Sequence, residues 1–124
     1  MTLYERLGGE PGVAALLEEL YVRAQADPLL APFLASTDIE RLKVQQFALI
    51  SQALGGPHHY SGPSLPQSHA RLRIEQRHFD AFVAHLHGAL RQLSAADDLA
   101  EEILSRVRPL SSVIVNTRSG TAAS

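Results

Sequence analysis

Apolar residues return every three or four positions along most of this chain, and nowhere do they alternate as in a half-buried strand. That periodicity confines the fold to packed helices. The strongest stripe runs from Glu75 to Leu93 through Phe79, Phe82, Val83, Leu86, Leu90 and Leu93. A second takes in Val13, Leu16, Leu17, Leu20, Tyr21 and Ala24, about three turns of one helical face. Ile39, Leu42, Gln46, Leu49, Ile50 and Ala53 draw a third. Leu99, Ile103, Val107, Leu110 and Ile114 draw a fourth, and Pro109 inside it is expected to kink it.

Breakers and caps separate these stripes. Thr2 and Glu5 have capping-box spacing, so a short helix starts at Leu3 and ends at Gly8-Gly9. Pro11 suits the first turn of the next helix, which Asp27-Pro28 stops. Leu29 to Leu34 is long enough for one apolar turn, and Thr37 or Asp38 can cap the helix that follows. Three Gly and two Pro between Gly55 and Pro63 make a loop. Ser64 and Gln67 again have capping-box spacing, ahead of a brief helix over 65–71 that would carry His69. Ser94 to Asp97 breaks the chain before the last helix. The reading is all-α, about six helices, one domain over 1–116 and a small, polar tail over 117–124.

Composition excludes several functions. A net charge of -2 does not point to nucleic acid or an anionic membrane as partner. The absence of cysteine removes disulfides, thiolate ligands and a cysteine nucleophile. No run approaches the roughly 20 apolar residues of a membrane span. The N-terminus lacks the apolar run of a signal peptide, so the expected location is cytoplasmic. There is no HExxH zinc motif, no Gly-x-Ser-x-Gly elbow and no phosphate-binding loop.

Two polar residues stand on apolar stripes: Tyr21 on the second and Gln46 in the middle of the third. A buried glutamine without partners costs on the order of 1–3 kcal/mol. Either the two satisfy each other or the backbone inside the core, or their polar tips converge on a ligand in an apolar pocket. Of the six histidines, His58 and His59 fall in the Gly/Pro loop and His85 and His87 cannot share a helix face. His78 lies beside its stripe, where a surface position is expected. His69 reads as a core or surface residue or as a ligand.

These residues fall into blocks: Leu3-Tyr4-Glu5-Arg6-Leu7-Gly8-Gly9, then Leu20-Tyr21-Val22-Arg23 and Asp27-Pro28, then Thr37-Asp38, Arg41-Leu42-Lys43 and Gln46. Ala53-Leu54-Gly55-Gly56-Pro57, Tyr60-Ser61-Gly62 and His69 complete them. Together they resemble the group 1 truncated haemoglobins over roughly residues 2 to 115, and so imply a truncated globin-like two-over-two helical sandwich binding haem b. The resemblance makes His69 the proximal iron ligand, and Tyr21 and Gln46 the distal pair that stabilises a bound gas. Haem contacts would come from Phe33, Leu34, Leu42, Gln46, Leu49, Leu65, Ile74, Phe79 and Phe82, with Tyr60 and Arg71 or Arg73 as propionate candidates.

The same resemblance implies O2, NO and CO as ligands, a role in oxygen binding or transport, an unidentified reductase, and a monomer or weak oligomer. Nitric oxide dioxygenation is an activity some relatives perform. Three positions depart from the family pattern. Leu34 stands where a phenylalanine is usual, Leu49-Ile50 where some relatives carry paired phenylalanines at a gas tunnel, and Gln45 where certain relatives carry a second iron-binding histidine. The competing class is a haem-free helical interaction module in which Tyr21 and Gln46 are only core groups.

Overall fold

The computed structural model describes residues 1–35, 37–57 and 74–115, the side chains at 113 and 114 excepted. The helix α1 spans Leu3–Leu7, α2 Gly9–Ala26, α3 Ala31–Leu34 and α4 Ile39–Ala53. After 58–73 come α5, Gln76–Gln92, and α6, Asp97–Val107. A 3-10 turn, Arg108–Leu110, and a final short helix α7, Ser111–Ile114, follow. Among the described residues there is no strand. The 65–71 helix expected from sequence, with Leu65 and His69, and the tail from 117 lie outside the described residues.

Local chemistry sets the boundaries. Thr2 caps α1 by accepting the Glu5 N–H at 3.1 Å, and the Glu5 carboxylate accepts the Thr2 N–H at 3.0 Å. Gly8 ends α1 at φ 112, a left-handed conformation that a side chain would oppose. Asp38, not Thr37, caps α4 by accepting the Arg41 N–H. Pro109 has no N–H to give the helical ladder, so the last stripe breaks into α6, the 3-10 turn and α7.

The layers follow from the stripes. The α2 stripe (Val13, Leu16, Leu17, Leu20, Tyr21 and Ala24) is buried whole, against α4 on one side and α5 on the other. Each such aliphatic side chain contributes about 1.5–3 kcal/mol by leaving water. Then α5 lays Phe79, Leu86, Ala89 and Leu90 inward and packs on α6, which contributes Leu99, Ala100, Ile103 and Leu104. The pairs α2–α4 and α5–α6 are the two layers of the expected sandwich.

Short tethers hold α1 and α4 in place. The Tyr4 N–H donates to the Leu54 carbonyl at 3.0 Å, and Arg6 meets Asp98 of α6 at 3.0 Å. Lys43 of α4 reaches Glu18 of α2 at 3.0 Å. Within α4 only Ser51 is fully buried. Among the described residues its hydroxyl finds no hydrogen-bond partner.

Gly56 lies directly under the Tyr4 ring. A methyl group there would stand 2.6 Å from Cδ1 and 2.9 Å from Cγ, with the ring anchored by the backbone bond beside it. Gly56→Ala is therefore expected to destabilise the fold by about 1–3 kcal/mol, as overpacking does. Denaturant unfolding checks this, and an unchanged midpoint would show that α1 is not seated on this turn.

Candidate functional site

Tyr21 stands about three-quarters of the way along α2, in the core that α4 and α5 cover. It is 4% exposed, and its ring meets Phe82 of α5 edge-on, centroids 6.5 Å apart at 60°. Burial raises the hydroxyl's pKa above the ordinary tyrosine value, so the group stays a neutral donor. Gln46 is half-buried on α4. Among the described residues no hydrogen bond joins Tyr21 to Gln46, and neither polar tip has another partner. Among the described residues, then, the two do not satisfy each other.

Five of the apolar residues expected around a haem share one property. Phe33 and Leu34 of α3, Leu42 and Leu49 of α4 and Phe82 of α5 are all half-buried, although each lies on an inward stripe. Ile50 and Val83 are left the same way, packed only at the edge of the core. Phe79 of α5 and Ile74 just ahead of it are instead buried. Ser51 and Leu54 toward the end of the α4 stripe are buried, while Leu42, Gln46, Phe47, Leu49 and Ile50 are half-buried, so much of the stripe is incompletely covered. A flat apolar group would complete that cover, so the residues present fit haem. Leu65, His69, Tyr60, Arg71 and Arg73 lie outside the described residues.

Comparison with known proteins agrees with this geometry. Residues 2–116 match the family model of the bacterial-like globins. The chain belongs to that family. A group 1 truncated haemoglobin of a Nostoc species is 38% identical over 93% of this chain and 98% of its own. One from Mycolicibacterium paratuberculosis is 34% identical over 96% and 88%. Among solved structures, the truncated haemoglobin of Tetrahymena pyriformis in its Fe(III) form superposes with a TM-score of 0.90 at 28% identity, over 94% of this globin and all of that chain. These similarities place the globin among the group 1 truncated haemoglobins.

Two histidines behave in ways the sequence did not signal. His78, expected at the surface, is 8% exposed: it sits in the first turn of α5 with its ring edge-on against Phe33 of α3. His85 donates from Nε2 to Asp27 Oδ2 at 2.7 Å, linking α5 to the C-terminal end of α2. Their partners are 3 and 58 residues away, and only the second distance needs the tertiary fold.

Asp27 is held below the usual carboxylate range first by the hydrogen bond from His85 and then by the Leu29 N–H, at 2.9 Å. A carboxylate with a lowered folded-state pKa stabilises the fold above its unfolded value, near pH 4, and that contribution disappears as pH falls through the lowered value. In Asp27→Asn, melting temperature at neutral pH should drop and its decline below about pH 4 should flatten relative to the parent. Parallel melting-versus-pH curves would show that the Asp27–His85 contact carries no linkage.

Proposed function

We propose that this globin holds haem b through the imidazole of His69 and reversibly binds O2 and other diatomic gases between Tyr21 and Gln46. The observation that carries the reading is the pairing of two polar tips that have no partner among the described residues with a set of half-buried apolar side chains on α3, α4 and α5. Family membership supports it and does not favour a haem-free interaction module. Haem, when bound, would supply an iron able to take up a diatomic gas.

The protein's part is recognition and exclusion. Neutral His69 offers a nitrogen lone pair as the protein's iron ligand. Phe33, Leu34, Leu42, Leu49 and Phe82 give the flat apolar walls, with Leu65, Ile74 and Phe79 as further contacts. Those walls keep water out, and a polar contact made inside them is stronger than the same contact in water. The Tyr21 hydroxyl donates to a polarised gas, and the Gln46 amide N–H adds a second donor. CO, less polar when held, gains less from both.

Purified protein supplied with haem should show an intense absorption band at the violet edge of the visible, and His69→Ala should alter its axial signature. In Tyr21→Phe, O2 release should accelerate about fivefold, the equivalent of one hydrogen bond, with CO release changed less. Because the hydroxyl stays protonated, release from the parent should be unchanged between about pH 7 and pH 10. Equal O2 and CO release rates in parent and variant would remove Tyr21 as the donor.

A further inference from the structure

The N-terminus of α5 is capped by a histidine. His78 occupies the third position of the helix, and its Nδ1 accepts the backbone N–H of Glu75, the residue before the helix, at 2.9 Å. Glutamate or glutamine ordinarily does this at that position, and neither loses its acceptor near neutral pH. The same ring meets Phe33 of α3 edge-on, with centroids 4.7 Å apart at 71°. One buried imidazole therefore joins the first turn of α5, which carries Phe79, to a phenylalanine of the haem wall.

The donor at Glu75 is an N–H, so Nδ1 must keep its lone pair, and the neutral ring carries its hydrogen on Nε2. A proton on Nδ1 would set donor against donor. It would also put positive charge at a helix N-terminus, where the backbone dipole opposes it. Among the described residues, the charged groups at this turn are the carboxylates of Glu75, which accepts the His78 backbone N–H, and Asp80, and the guanidinium of Arg77. Arg77 is paired with Glu75 at 3.2 Å, and Asp80 accepts from Gln76 at 2.9 Å. On the packed elements, α3 offers the uncharged Ala31–Leu34 and α7 the uncharged Ser111–Ile114. Arg108 ahead of α7 is engaged by Glu101 at 2.8 Å. Asp27, at the end of α2, is taken by His85, two turns further along α5.

We propose that His78 is a positioning residue for the haem: a titratable helix cap that, while neutral, fixes the first turn of α5 and the Phe33 ring, and releases both when it takes up a proton. The haem half of this rests on the proposed function above. The cap half stands on the protein alone.

The test compares the parent, His78→Gln and His78→Leu at about pH 7.5 and about pH 5.5, a window in which imidazoles titrate and carboxylates stay ionised. Hydrogen-exchange protection of the Glu75 and Phe79 amides reads the cap, with and without haem. The rate of haem transfer to an excess of an apo-globin acceptor reads the positioning. In the parent, acid should lower protection at both amides about fivefold, the equivalent of one helix cap, and speed haem transfer. His78→Gln keeps an acceptor that does not titrate, so its protection should hold at both pH values and its haem transfer should be the less acid-sensitive. His78→Leu should be unprotected at both and transfer haem fastest at the higher pH.

Acid loss of protection in His78→Gln equal to the parent's would overturn the proposal, as would equal haem-transfer rates in all three proteins. Failure of the haem reading is distinguishable, because it removes the violet-edge absorption band from the parent itself, whereas failure of this proposal leaves that band intact.

Discussion

Burial of one helix on two sides organises this protein. The α2 stripe is covered by α4 along one edge and by α5 along the other, so its aliphatic residues and Tyr21 leave water together. A side chain packed from two directions has few rotamers left, and interiors at that density do not let a ring drift. The position of the Tyr21 hydroxyl is thus a consequence of core packing. The packing surrounds the ring and leaves the polar tip without a partner among the described residues.

The second organising fact is a deficit. An amphipathic helix ordinarily buries its apolar stripe, yet α4 buries only Ser51 within its length and leaves Leu42, Leu49 and Ile50 half covered. Incompletely buried apolar surface forgoes roughly 25 cal/mol for each Å² left in contact with water. A rigid apolar ligand recovers that energy, so ligand affinity and fold stability draw on the same surface and are thermodynamically linked. The cover would complete α3, α4 and α5 at once, which explains why residues so far apart in sequence show the same intermediate exposure.

Titratable contacts sit at the ends of the helices that frame this surface. Asp27 and His85 join the end of α2 to α5, and His78 closes the start of α5 against Phe33. Helix ends are where backbone groups lack intrahelical partners, so side chains there hold more of the geometry than those in mid-helix. The Lys43–Glu18 and Arg6–Asp98 pairs are more exposed and matter mainly for register.

The helices and their stops were legible in the sequence because they are local. The capping pair Thr2 and Glu5, the left-handed Gly8, the stop at Asp27-Pro28 and the break at Pro109 each act within a few residues. The inward stripes were equally legible, since a 3.6-residue period needs no knowledge of what the stripe meets. Tyr21 and Gln46 stood out as polar residues on those stripes, but whether they satisfied each other was open until the helices were placed. The depth of His78, the Asp27–His85 contact and the half-cover of α4 belong to the tertiary structure alone. Each depends on how closely two separately formed helices approach, and that distance is set by the summed shape of many side chains, which no short stretch of sequence encodes.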